Sequence, residues 1–413
     1  MYISGLIQRD ALLDLGLRWL ADELLPGDAR FVTQVFVYES LVFTPTALGL
    51  VRDINRRIRP GPMNTHRVRS KDEVRLMIMD AYPRPDPRSA YLFERYRQTP
   101  EEFFPRTPVD CLVGTRPSGE LIGFIRIKAI QRIAEKTSRR IADRLAGEID
   151  TVARSLAQTR ADMAGVPLSE LISSRDQMEA EFAEAERIVS QAFRDHTLGF
   201  TPQDMRIDDV IAAKFVDTPE NLERLERAIA EHPLATLAER EVHCGTYNAV
   251  NLLVDLELPP PERIIEEARG MDWRFAAARG LDPHKAAEEF GDYVRSGART
   301  FRMEVILTTI PDLVESEFGR AMHEERILAQ RHSAPYSGRI ARNASYIIRF
   351  LLVLAMSPTT TIESIPIKMW GRYLPDTLSM AIDEVFGKDR GLASYALFAN
   401  HPLEMSGIPL DID

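Results

Sequence analysis

A chain of 413 residues, 45% apolar and 28% charged, can bury a sizeable core without disulfides or structural metals and is long enough for roughly two domains. Its formal net charge of −10 argues against an extended nucleic-acid surface and leaves room only for a local basic site. The two cysteines, Cys111 and Cys244, have no metal-like spacing, which points to reduced thiols and a cytoplasmic setting.

The opening MYISGLIQRDALLDLGLRWL threads polar residues through its apolar positions. This predicts an amphipathic helix rather than a signal peptide. Residues 1–100 read as mostly helical, with proline breaks around 60–62 and 83–87. Around the first of those breaks, 52–75 is strongly basic and includes Arg67, Arg69 and Lys71. Such a run faces either solvent or phosphate.

Residues 111–128, CLVGTRPSGELIGFIRIK, alternate, turn at Pro-Ser-Gly and alternate again, which predicts a β-hairpin. The phrase GELIGFIRI resembles the central hairpin of GNAT-type acetyltransferases, but no Gly-rich pyrophosphate loop follows it. From 130 to 194 the chain is rich in Ala, Glu and Arg. Ile133, Ile141, Leu145, Ile149, Val152 and Leu156 recur at helical spacing, and Gly165-Val166-Pro167 marks a break, so a long helical hairpin is expected.

RIDDVIAAKFV, 206–216, is a short strand with charges in it: Asp208 and Asp209 at its mouth and Lys214 inside. Asp208 is expected to be a solvated neighbour of Asp209. TPENLERLERAIAEH then carries a helix start at Thr218-Pro219. In 249–258, Val250, Leu252, Val254, Leu256 and Leu258 form one strand face, and Asn251 and Asp255 fall on the other. Two helical segments are expected across 261–295. In FRMEVILTT, 301–309, Phe301, Met303, Val305 and Leu307 share a face, and Glu304 lies mid-strand on the opposite one. A helix opens at Pro311. The run YIIRFLLVLAM, 346–356, is too short for a bilayer, which needs about 20 residues, and reads as a buried core helix.

The fold expected is α+β: a mixed, mostly antiparallel sheet flanked by helices, with helical N-terminal and C-terminal regions. Its divisions are 1–128, helical with the 111–128 hairpin; 129–199, a helical arm; 200–336, the α+β core; and 337–413, a helical cap. No P-loop, G-x-S-x-G or G-x-G-x-x-G is present, and His323 and His332 are not at H-E-x-x-H spacing. Asp209, Asp255 and Glu304 fall on three different strands, and strands side by side in one sheet could bring two of these acids onto one Mg²⁺. That ion takes one or two carboxylates plus phosphate oxygens.

In this order the core resembles the synthetase domain of RelA/SpoT-type alarmone synthetases, over about 200–330. Members of that family use Mg²⁺ to transfer pyrophosphate from ATP to the ribose 3′-hydroxyl of GDP or GTP. The family's D-x-x-G-x-R appears as DVIAAK, keeping Asp209 with Ala212 for glycine and Lys214 for arginine. Its G-Y-x-S/A-x-H appears as GTYNAVN, with one extra residue before Tyr247 and Asn251 at the histidine position. Its E-x-Q-x-R-T appears as EVILTT, keeping Glu304 and Thr309 but not the glutamine and arginine. An acidic helix with Glu315 and Glu317 follows. No R-x-K segment, the family's holder of ATP phosphates, stands at the expected distance before Asp209.

The resemblance implies Asp209 and Glu304 as catalytic metal ligands, Tyr247 stacking on the acceptor base, Lys214 on phosphate and Asn251 beside the substrate. It implies Mg²⁺ as cofactor and ATP with GDP or GTP as partners. No membrane partner is expected, and homo-oligomerisation is left open. The departures keep an alternative open: a catalytically lapsed nucleotide-binding or protein-interaction module with a regulatory role.

Overall fold

The computed structural model describes residues 1–172, 178–245, 248–319, 338–374 and 376–386. The protein is α+β. Seven strands form the central sheet: β2 (Asn64–Ser70), β3 (Pro108–Thr115), β4 (Leu121–Ile127), β6 (Ile211–Val216), β7 (Ala235–His243), β8 (Ala249–Glu257) and β9 (Thr300–Thr308). Their spatial order is β2-β3-β4-β6-β9-β8-β7. Every neighbouring pair is antiparallel except β6 and β9, which run parallel. A separate two-stranded pair joins β1 (Tyr2–Ile3) to β5 (Arg206–Ile207).

The register sorts the side chains of these strands into two faces. Ile125, Ala213, Val305 and Leu252 are cross-strand partners in one row. Met303 with Val254 and Phe301 with Leu256 extend the same face. These side chains are buried, as the period-2 alternation predicts. Helices cover this face: α1 (Arg9–Leu20), α2 (Asp28–Ile58) and α5 (Ile130–Ala164). By length and composition α2 could cross a membrane, yet 72% of its apolar window is buried inside this fold, where it serves as a core helix.

Among the described residues, helices cover the opposite face only toward its β2–β3 end. There α3 (Lys71–Ala81) and α4 (Pro87–Gln98) close a second core on Cys111, Val113 and Phe124. The expected arm is α5 with the short α6 (Leu168–Leu171) and α7 (Glu179–Arg194). Its packed stripe starts with Ile133, Ile141, Leu145 and Ile149. It continues through the fully buried Ala153, Ala157 and Ala161, where small side chains let α7 approach closely, with Val152 and Leu156 partly buried and packed against the core.

Helices α8 (Pro219–Ala230), α9 (Pro261–Ala268), α10 (Pro283–Ser296) and α11 (Ile310–Val314) fall where the proline starts place them. The expected core helix is α12 (Arg339–Leu354), with Ile347, Ile348, Leu351 and Leu352 buried and Arg349 turned out. A last helix, α13, spans Thr377–Phe386.

Two strands of the central sheet run against expectation, and β1 likewise falls in the opening read as helix. β2 lies inside the region read as helical, and β7 precedes the first strand read after the Thr218 helix. Both are sheet edges, and β7 is exposed along nearly its whole length. Neither edge has the one-sided apolar alternation that marks a half-buried strand. Within the expected C-terminal cap, 355–374, between α12 and α13, carries no helix and contains Pro358 and Pro366, and 387–413 lie outside the described residues.

Candidate functional site

The face of β4, β6, β9 and β8 that no described helix covers carries the polar residues. Ala212 stands between Arg126 and Glu304, Lys214 between Phe124 and Ile306, and Asn251 opposite Ile306. Asp209 ends the chain segment leading into β6, and Lys128 follows β4, its backbone N–H donating to the Val210 carbonyl. A cavity of about 400 Å³ opens on this face. Asp209, Lys214 and Glu304 line it, together with Lys71, Arg126, Lys128 and Arg132. Five cations therefore face two carboxylates in one concave space. That balance favours an anionic ligand within a chain that is acidic overall.

Local sequence explains the placement. Gly123 on β4 has φ +152°, and a Cβ there would overlap the Lys214 carbonyl oxygen. Glycine thus lets β6 approach β4 closely where Lys214 sits. Ala212 puts only a methyl group on the cavity floor between Arg126 and Glu304.

Asp209 is paired twice. Lys136, on α5, reaches both of its oxygens at 2.8 Å, and Lys128 forms a second ion pair with it. Burial works to raise the Asp209 carboxyl, but the two ammonium charges outweigh it and hold it down at about 2. Burial lowers Lys128, against the pull of Asp209. Glu304 accepts a hydrogen bond from Asn251 Nδ2 at 3.0 Å. Burial, reinforced by the charge of Asp209, pushes Glu304 above the usual carboxylate range, although Lys128, Lys136 and Lys214 oppose the shift. The two acids expected to act together therefore do feel each other across one cavity.

Lys214 lies 3.4 Å from Glu317 and 3.5 Å from the Ser316 hydroxyl, with its ammonium 5.3 Å from the Phe124 ring centre. Burial lowers it, and Glu317 works the other way. Arg302 leaves Glu304 alone and forks onto Asp255 at 2.7 and 2.8 Å. Asp208 is not the solvated neighbour expected. It accepts from the Ser4 hydroxyl at 2.7 Å and from Arg206 at 2.8 Å, tying the β1–β5 pair to the chain before β6. Tyr247, His323 and His332 lie outside the described residues.

The basic stretch 52–75 does not act as one patch. Arg67 pairs with Asp110 on the helix-covered side, Arg75 is buried against backbone carbonyls, and Lys71 lines the cavity. The residues that sequence reading overlooked are Arg126, Lys128, Arg132 and Lys136. The signal was present: Arg126-Ile127-Lys128 is an R-x-K segment. It was obscured because the helical arm, α5 to α7, separates it from Asp209 in the chain, while the sheet puts β4 directly against β6. No protein-family model matches this chain, and no curated protein does.

Proposed function

We propose that the protein is a Mg²⁺-dependent nucleotide pyrophosphoryl- or nucleotidyl-transferase of the alarmone-synthetase kind, with ATP as donor and a guanine nucleotide as acceptor. The observation that carries this reading is the R-x-K of β4 lining one cavity with Asp209 and Glu304. The resemblance asks for a phosphate-holding R-x-K beside those two acids.

In this reading Arg126, Lys128, Lys214 and Arg132 bind the donor phosphates, the arginines as forks and the lysines as mobile point charges. With a polyphosphate present, Lys128 and Lys136 gain acceptors on the ligand and release the Asp209 oxygens they now hold. Asp209 and Glu304 fit a hard cation, being two oxygen donors lining one cavity, with Glu304 raised by burial and then by the charge of Asp209. Among the described residues no group of three or more His, Cys, Asp or Glu is placed to hold a metal. A magnesium ion here would therefore complete its ligand set with phosphate and water. When bound, it supplies charge neutralisation on the transferred group.

Glu304, with its raised pKa, takes the proton of the attacking hydroxyl as that oxygen bonds to phosphorus and the bond to the leaving group breaks, AMP leaving in pyrophosphoryl transfer and pyrophosphate in nucleotidyl transfer. Asn251 holds the Glu304 carboxylate by its amide. Tyr247 is assigned to the acceptor base through the resemblance alone.

A second reading, a nucleotide-binding module without catalysis, is favoured by one feature: both Asp209 oxygens are already paired with lysine. Incubation with ATP, GDP or GTP and Mg²⁺, followed by chromatography of the nucleotides, separates the two. The transferase reading expects a new phosphorylated guanine nucleotide from the wild type and none from Glu304→Gln. Nucleotide binding without product from any acceptor overturns catalysis and leaves the binding module. Absence of binding overturns both.

A further inference from the structure

We propose that the Glu317 carboxylate is a built-in occupant of the cations that hold phosphate, and that an incoming phosphate must displace its hold on Arg126 and Lys214. The inference deepens the nucleotide-binding reading of the cavity and rests on it.

Glu317 belongs to the turn Glu315–Gly319 that follows α11. The backbone of this turn is fixed from several sides. Arg75 donates to the Glu317 carbonyl at 3.0 Å and to the Phe103 carbonyl at 2.6 Å. Arg88 forks onto the Glu315 carboxylate at 2.8 and 2.9 Å. Phe318 is fully buried between the rings of Phe93 and Tyr96. From this anchor the Glu317 side chain reaches the polar sheet face, 3.4 Å from Lys214 Nζ and 3.6 Å from Arg126 Nη2.

Those distances exceed the roughly 2.7–2.9 Å of a charge-assisted hydrogen bond. Glu317 therefore neutralises both cations while holding Lys214 only by a long hydrogen bond and Arg126 by charge alone. Arg126 Nε and Nη2 are buried and have no hydrogen-bond partner among the described residues. Buried donors left unpaired are costly, and the cost is recovered when an acceptor arrives. Arg126 and Lys214 both line the cavity, so the acceptor that Arg126 lacks, and a shorter one for Lys214, come from whatever fills it. A phosphate brings several acceptor oxygens and the negative charge that Glu317 supplies in its absence. Glu317 is always charged at neutral pH: burial would raise it, but Arg126, Lys214, Lys71 and Arg75 together hold it at about 2.

The consequence is a threshold. A singly charged anion gains little by replacing a carboxylate already in place, whereas a polyphosphate adds charge and acceptors and wins. A positioning role, in which Glu317 merely orients Arg126 and Lys214, predicts the opposite sign on mutation.

Calorimetric titration of inorganic pyrophosphate into the full chain and into Glu317→Gln decides between them. The proposal expects the variant to bind about tenfold tighter or more. It also expects a lower melting temperature without ligand and a larger rise with pyrophosphate, because unpaired cations are left for the ligand. Equal or weaker binding by the variant, with the wild type binding, overturns the proposal and leaves the nucleotide-binding reading standing. Absence of binding in both proteins overturns the two together. Should Glu317→Gln not fold, Glu317→Asp, which withdraws the charge by one methylene, must bind pyrophosphate more tightly than wild type, or the proposal falls.

Discussion

The two faces of the central sheet are made by the same strands, one residue apart, and they obey different rules. On the helix-covered face Met303 and Val305 are fully buried among aliphatic and aromatic side chains. On the other face their neighbour Glu304 shares a cavity with Asp209 and five cations. Apolar burial makes the first face intolerant of change. The second pairs two of its acids with cations, Asp209 with Lys128 and Lys136 and Glu317 with Arg126 and Lys214. The first face supplies stability, and the second is free to be selected for chemistry.

Substitution of adjacent residues should expose the contrast most strongly. Met303→Ala empties part of the core and should cost about 2–5 kcal/mol in urea denaturation. Glu304→Ala should stay within about 1 kcal/mol of wild type, or gain, since its carboxylate is raised by burial and by Asp209. Similar losses at both positions would mean that the two faces do not differ in kind.

The contrast extends to pH. Glu39, inside α2, is fully buried and accepts from the backbone of Ile7 and Gln8 and from the Tyr293 hydroxyl, while its second oxygen has no partner. Burial, only partly offset by those donors, pushes it to about 7. Its raised folded-state pKa means that the folded protein keeps a proton the unfolded chain loses. Its contribution is complete below the unfolded value of 4.5 and is lost as pH rises to about 7. The loss is on the order of 3 kcal/mol, and Glu39→Gln should flatten it. Asp209 and Glu317 run the other way. Both are depressed to about 2, so their stabilisation is present above the ordinary carboxylate range and disappears as pH falls toward 2. Denaturation across pH 3–8 on wild type and Glu39→Gln checks both limbs.

The smallest expected effect lies at the arm. Lys136→Ala leaves Asp209 with Lys128 and raises its pKa. Both partners are partly exposed, so the stability cost should stay below about 1 kcal/mol. The acid limb of the stability profile should move to higher pH. An unchanged acid limb would show that Lys136 does not balance Asp209.

These differences also mark what was legible in the sequence. The helix-covered face was readable strand by strand, because Phe301, Met303, Val305 and Leu307 alternate cleanly and each ends up buried. Asp209, Lys214, Asn251 and Glu304 announced themselves as charged or polar groups on apolar strands, and they do share one face. Arg126 and Lys128 did not, because an arginine and a lysine at the end of a hairpin look like an ordinary solvated rim. Only the adjacency of β4 to β6, across the whole helical arm, gives them a role. The β2 and β7 edges were missed for a related reason: an edge strand with no buried face carries no periodic apolar signal.

The central claim is that the charged half of the sheet binds nucleotide phosphates through the β4 cations. Calorimetric titration of ATP with Mg²⁺ into wild type, Lys128→Met and the distant, exposed Arg274→Met tests it most directly. Binding by wild type and Arg274→Met, with Lys128→Met weaker by about tenfold or more, is the predicted result. ATP affinity unchanged by Lys128→Met, or no ATP binding to wild type, would contradict it.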